Sequence, residues 1–175
     1  MKHVPQLAIT VLGHDRPGII AQTAAALADL GMNLEDSSMT LLRGHFAMTL
    51  VCSGDADAPT VEEALFPLVD GSLDVSVRSL SDSDTAVSSG ARTVLVSVHG
   101  GDRLGIVSRV AGVIGDAGGN ITDLTTRLAG GLYVLAAEVD VPDGIELDTF
   151  TAQLAQTGQL LGVEVRVQPL DRDEL

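Results

Sequence analysis

A gap-free internal repeat limits what this chain can fold into. Shifted by 87 positions, "GHDRPGIIAQTAAALADLGMNLED" (Gly13–Asp36) lies on "GGDRLGIVSRVAGVIGDAGGNITD" (Gly100–Asp123), and ten of the 24 positions are identical. They are Gly13/Gly100, Asp15/Asp102, Arg16/Arg103, Gly18/Gly105, Ile19/Ile106, Ala24/Ala111, Asp29/Asp116, Gly31/Gly118, Asn33/Asn120 and Asp36/Asp123. The register continues downstream, where Gly44 meets Gly131 and Phe46 meets Tyr133. Chance pairing would supply about one or two matches, so the chain is read as two copies of one unit of about 80 residues. Residues 1–80 and 92–175 are the expected domains. Between them "SDSDTAVSSGA" (Ser81–Ala91) is small and polar, and reads as a linker.

Each copy carries the same punctuation. Leu7–Gly13 and Thr93–Gly100 are β-branched apolar runs, hence buried strands. A helix follows, with Ile20, Thr23, Ala24, Leu27 and Leu30 expected on one face of the first, and Val107, Val110, Ala111, Ile114 and Ala117 in the second. Gly31 and Gly118 then stop these helices, since glycine accepts the left-handed conformation at a helix end. Two hairpins come next, with turns at Arg43–His45 and Ala129–Gly131. Second helices are predicted over Pro59–Val69 and Glu146–Gly158, with carboxylates in their first turns and Pro67 ending or distorting the former. Leu73–Leu80 and Val163–Leu170 alternate with period two and read as closing strands. The order is βαββαβ, twice. The fold class is therefore α+β: two ferredoxin-like units, each a four-stranded antiparallel sheet with both helices on one face. Such a sheet keeps a bare face and two edges, which favours pairing of copies and a homodimer.

Composition excludes several function classes. Apolar residues make up 45% of the 175, enough for globular cores, and the charged fraction of 19% is too low for a disordered acidic chain. The net charge of −14, with no Lys/Arg cluster, argues against direct nucleic-acid binding. It supplies solubility, or an acidic face for a basic partner protein. No apolar run reaches the length of a membrane span, and the N-terminus lacks a signal-peptide core and cleavage site, so a cytoplasmic location is expected. Cys52, the single cysteine, lies in the apolar run "FAMTLVCSG" and reads as a buried structural thiol. His3, His14, His45 and His99 show no metal-ligand spacing, so neither a metal nor a cofactor is expected. Nor is there a nucleophile–base constellation or a phosphate loop that would mark an enzyme.

The repeated turns carry the candidate chemistry. Gly13 and Gly100 allow a sharp exit from the strand, and Pro17 pre-sets the first copy's turn. Gly18 and Gly105 have no Cβ, so a backbone or a ligand can approach. Open amides at a helix start suit a carboxylate. Asp15 and Asp102 can either fold forward onto those amides as caps or receive an ammonium group. Asn33 and Asn120, just past the helix stops, can both donate and accept. Turn stabilisation alone accounts for these residues equally well.

The combination D-R-P-G-I followed by L-x-x-G-x-N-(apolar)-x-D inside βαββαβ resembles the ACT domain, the small-molecule regulatory module of amino-acid metabolism. Two copies with no catalytic domain attached resemble the glycine cleavage system transcriptional repressor family. The resemblance covers nearly the whole chain. It implies effectors held where paired modules meet, between the strand-to-helix turn of one and the second-strand start of its partner. By position this implicates Asp15, Gly18, Ile19 and Asn33 in the first copy, and Asp102, Gly105, Ile106 and Asn120 in the second. Leu104 replaces the proline and Gly101 replaces His14 in the second copy, so the two sites need not be equivalent. A non-catalytic regulator is expected, answering to a small amino acid (glycine or serine by the family analogy) and acting on a regulatory or metabolic partner protein. A ligand-independent adaptor is the alternative.

Overall fold

The computed structural model describes residues 5–81 and 91–170. The expected linker, Ser81–Ala91, falls mostly outside them, and Ala91 itself already belongs to a strand. The chain divides into two compact units, the division falling in the undescribed stretch between them. The first unit runs β1 (Gln6–His14), α1 (Ile19–Asp29), β2 (Asn33–Leu42), β3 (His45–Ser53), α2 (Ala58–Leu65) and β4 (Leu73–Leu80). The second runs β5 (Ala91–Gly101), α3 (Ile106–Asp116), β6 (Asn120–Ala129), β7 (Leu132–Pro142), α4 (Leu147–Leu161) and β8 (Val163–Pro169). Strand order is β2-β3-β1-β4 in one sheet and β6-β7-β5-β8 in the other, and all pairs are antiparallel.

Register follows from alternation. Leu7, Ile9 and Val11 of β1 stand opposite Cys52, Leu50 and Met48 of β3, and all six are buried. Slipping one residue would turn this whole set to the other face. Against it pack Ile19 and Leu27 of α1 and Val61 and Leu65 of α2, so both helices share one side of the sheet. The second core repeats the plan with Val94, Val96 and Val98 of β5, Leu135, Ala137 and Val139 of β7, and Phe150 and Leu154 of α4.

Both hairpins close on two residues at positive φ: Arg43 (51°) with Gly44 (85°), and Gly130 (58°) with Gly131 (81°). That geometry matches the twist of the flanking strands. Gly31 and Gly118 end their helices as expected. Their amides bond the carbonyls of Ala28 and Gly115, and the next residues, Met32 and Gly119, bond those of Leu27 and Ile114. This paired pattern satisfies the last carbonyls of each helix.

Several details differ from the sequence-based expectation. The buried stripe of α1 is Ile19, Thr23 and Leu27, while Ile20 is 46% exposed and Ala24 faces solvent. Ile19 rather than Ile20 packs on the sheet, and the buried Thr23 hydroxyl donates to the Ile19 carbonyl at 2.8 Å. In α3 the stripe is likewise Ile106, Val110 and Ile114, with Val107, Ala111 and Ala117 on its flanks. Helix α2 is shorter than expected and passes into a 3₁₀ turn, Phe66–Leu68, that contains Pro67. Its first turn holds no carboxylate; Asp57 caps it, accepting from the Thr60 amide at 3.1 Å. Helix α4 runs past Gly158 to Leu161. Gly158 is an interior contact glycine, since a Cβ there would stand 2.6 Å from Val165 Cγ2 and 2.8 Å from the Val163 carbonyl. Both second strands carry an irregularity at equivalent places, between Leu34 and Asp36 and between Ile121 and Asp123.

Candidate functional site

The strand-to-helix junction is assembled from three segments that are distant in sequence. Gly13, next to the last residue of β1, lies against the start of β4: a Cβ on it would lie 2.0 Å from the Ser72 carbonyl oxygen. The His14 amide then donates to that carbonyl at 2.9 Å, and the Asp15 amide donates to Gly44 of the hairpin turn at 3.2 Å. In the second unit Gly100 packs against Val163, and the Asp102 amide donates to Gly131 at 3.3 Å.

The chain then turns through Gly18 (φ 92°, ψ −1°) or Gly105 (φ 89°, ψ 10°), each the residue before the helix. These are the angles of the third residue in a type II turn, where a side chain is strained and a preceding proline is favoured. Leu104 takes the proline's place in the second unit with no change in this geometry. The first intrahelical bonds are Gln22 N–H to Gly18 at 2.9 Å and Arg109 N–H to Gly105 at 3.0 Å. The helical pattern therefore leaves the amides of Ile19, Ile20 and Ala21, and of Ile106, Val107 and Ser108, as the open donors of their first turns.

An open depression lies over each junction. The first, of about 430 Å³, is lined by Asp15, Arg16, Gly18, Ile20, Met39 and Phe46. The second, of about 650 Å³, is lined by Asp102, Arg103, Leu104, Gly105, Val107 and Tyr133. Asp15 and Asp102 are exposed and make no capping bond to the helix, which corrects one of the two roles open to them. Ile19 and Ile106 also border these depressions, but at 2% exposure their side chains are buried in the cores. Asn33 and Asn120 are exposed but lie away from these depressions. Asn33 pairs with Ser53, which pairs with Gln6, whereas the turn leaves from His14 at the other end of β1, about 26 Å away along an eight-residue rise. Asn120 lies likewise at the Asp140 end of β7, far from Gly101 and Leu132. Within one unit, then, aspartate and asparagine do not meet.

Two sets of neighbours were not anticipated. Arg16 reaches from the turn to Asp70, Nε to Oδ2 3.6 Å, and donates to Gln22 Oε1 at 3.2 Å. It thereby ties the junction to the start of β4. Asp70 is held below the usual carboxylate range by the Ser72 hydroxyl, then the Ser72 amide, with a smaller contribution from Arg16. Among the described residues Arg103 has no acidic equivalent; it lies against Gly162, the cap of α4, with guanidinium atoms 3.4–3.5 Å from where a Cβ would stand. The second set is His14 and His45, whose rings are 5.1 Å apart across β1 and β3. The arginine was legible as part of the repeated D-R; the histidines, 31 residues apart, were not. Cys52 is fully buried, and burial first, then the nearby Glu35 charge, pushes its thiol up, as suits an inert core residue. Among the described residues no three His, Cys, Asp or Glu side chains gather as a metal site, and no helix is long and apolar enough to cross a membrane.

The family model of the ACT domain matches residues 5–77 and 92–168, one match in each unit. The glycine cleavage system transcriptional repressor of Escherichia coli (strain K12) is 29% identical over 121 residues, 69% of this chain and 64% of that protein. The match thus spans less than two thirds of the repressor's length. A UPF0237 protein of Methanocaldococcus jannaschii is 34% identical over 79 residues, 45% of this chain and 88% of that protein. Among solved structures, an unknown protein from Galdieria sulphuraria superposes with a TM-score of 0.83 at 28% identity, covering 97% of this chain and all of that one. With both halves of the chain matched, and both built as βαββαβ units with the same strand–turn–helix junction, the protein belongs to the ACT domain family.

Proposed function

We propose that this chain is a non-catalytic cytoplasmic regulator that binds a small amino acid where ACT modules meet, and so alters its hold on a partner protein of amino-acid metabolism. One observation supports this most: each helix start pairs open backbone amides with an uncommitted, exposed aspartate. The amides suit an α-carboxylate and the aspartate an α-ammonium, the two charges every free amino acid carries. Asn33 and Asn120, far from the turn of their own unit, are the groups a second module would bring to the bound molecule. The kinship with the glycine cleavage repressor makes glycine or serine the first candidates, and a homodimer the simplest arrangement of further modules. Regulation requires that the ligand favour one arrangement of modules over another.

Thermal unfolding of the full chain with each of the twenty amino acids tests the proposal. One or a few small ones at millimolar concentration should raise the melting temperature, because a ligand of the native state adds stability by mass action. Asp15→Ala and Asp102→Ala should reduce that rise. Silence across the whole panel would sink the proposal.

The adaptor alternative also has an observation in its favour. The helix-side faces of the edge strands expose Met39 (46%) and Leu41 (49%) in one unit, and Leu124 and Leu128 (43% each) in the other. An adaptor would capture its partner equally well with or without amino acids, and after Asn33→Ala and Asn120→Ala.

A further inference from the structure

We infer that His14 and His45 form a chelating site for a divalent ion of the Ni²⁺, Cu²⁺ and Zn²⁺ group, independent of the amino-acid reading. The two residues are direct partners in the β1–β3 register. The bond from the Asp15 amide to the Gly44 carbonyl joins the residue after one histidine to the residue before the other. In an antiparallel ladder that bond marks His14 and His45 as a non-hydrogen-bonded pair, the kind whose Cα atoms are about 4.5 Å apart and whose side chains approach most closely.

The ring spacing allows one shared ion once each ring turns a nitrogen toward it, the ring planes standing at 33° to each other. An ion about 2.0–2.1 Å from each nitrogen then lies about 3.2 Å from each ring centre, and centroids 5.1 Å apart subtend about 105° there. Imidazole nitrogen suits this group of metals, whereas Mg²⁺ and Ca²⁺ demand oxygen. Both rings are exposed, so neither nitrogen is committed to the core, and the net charge of −14 draws cations. No third His, Cys, Asp or Glu side chain joins them among the described residues, so water completes the shell.

The pair is not a requirement of the fold. The second unit builds the same corner from Gly101 opposite Leu132, with the equivalent amide bond from Asp102 to Gly131. Two facing imidazoles are thus an addition peculiar to the first unit. A bound ion would clamp the end of β1 to the hairpin one residue before Asp15.

Calorimetry of the untagged full chain with Zn²⁺, and electron paramagnetic resonance with Cu²⁺, test the site. One Zn²⁺ per chain is expected. His14→Ala and His45→Ala should each weaken binding by about tenfold or more, while His99→Ala should leave it unchanged. In a His3→Ala background, which removes the amine–amide–imidazole chelate that Met1–His3 offers Cu²⁺, the spectrum should show coupling to two nitrogens, and to one after a further His14→Ala or His45→Ala. Absence of Zn²⁺ binding at millimolar concentration, equal binding by the His14/His45 double variant, or single-nitrogen coupling in the His3→Ala protein would each overturn the inference.

Discussion

The two ACT units reach one backbone by different means. At both junctions a glycine near φ 90° precedes the helix, and the aspartate amide is tied to the hairpin turn at 3.2–3.3 Å. Around that constant frame the first unit uses Pro17, an arginine–aspartate contact and a glycine forced against backbone. The second uses Leu104, an arginine laid on a helix cap, and a glycine packed on a valine side chain. The frame is set by backbone hydrogen bonds and steric exclusion, which many side chains can satisfy. The depression over it is lined by side chains, and there the copies diverge: Met39 and Phe46 on one side, Tyr133 and Leu104 on the other. Shared geometry with unshared lining is how a duplicated module can keep its fold and differ in what it binds.

The largest expected break in this comparison is at the strand-ending glycines. Gly13→Ala pushes a methyl group to 2.0 Å from the Ser72 oxygen and 2.8 Å from Leu73 Cα, both backbone. It should cost about 3–5 kcal/mol. Gly100→Ala meets chiefly the Val163 side chain, at 2.6 Å, and should cost about 1–3 kcal/mol because that chain can shift. Denaturant unfolding of the full chain, followed by hydrogen exchange in each unit, separates them. Tyr133, the only tyrosine in a chain without tryptophan, reports on the second unit by fluorescence.

Next comes Gly158→Ala. Helix propensity alone favours alanine by about 1 kcal/mol. The clash with Val165 and the Val163 carbonyl should reverse the sign and leave a loss of about 2 kcal/mol. A stabilised variant would show that α4 and β8 can separate at no cost.

A smaller effect concerns acid. Asp57 is held below the usual carboxylate range by the Thr60 hydroxyl, then the Thr60 amide, and Asp70 by Ser72. A carboxyl depressed in the folded state adds stability above its unfolded value, about 3.9, and loses it as pH falls through the folded value. Hydrogen exchange in the first unit should therefore speed up as pH drops below about 4, beyond the intrinsic change. Asp57→Asn and Asp70→Asn should flatten that dependence; an unaltered slope would remove these two carboxylates from the account.

The smallest expected change sharpens the proline difference. Leu104 is fully exposed and precedes a type II glycine, so Leu104→Pro should stabilise the second unit by about 0.5–1 kcal/mol, by restricting the unfolded chain. Tyr133 fluorescence during denaturant unfolding would register it. A loss of stability would mean that the two turns differ in backbone after all.

Much of the fold was legible because its signals are local or repeated. The helix stops at Gly31 and Gly118, the positions of the hairpin turns, and the alternation of β4 and β8 each depend on a few neighbouring residues. Helix boundaries and faces were less legible. Ile20, expected on the core face of α1, stands in solvent with Ile19 buried instead, and Gly158, the last residue of the expected helix, proved to be an interior contact. No neighbour in sequence announces Val165 or the Val163 carbonyl.

The candidate site divides the same way. Asp15, Gly18, Asp102 and Gly105 stood out because spacing along the chain already puts them on one turn. That the aspartates leave the helix amides uncapped, and that the asparagines stand at the opposite end of the sheet, depended on side-chain direction and strand pairing. The sequence by itself determined a duplicated βαββαβ unit and the punctuation of its turns, since glycine conformation and hydrophobic period act over a few residues. Only the tertiary structure decided that Arg16 reaches Asp70, that Gly13 abuts Ser72, and that His14 faces His45. The glycine and histidine contacts arise from antiparallel register and the arginine contact from the turn lying against the segment before β4; all join residues tens of positions apart and leave no periodic trace in the chain.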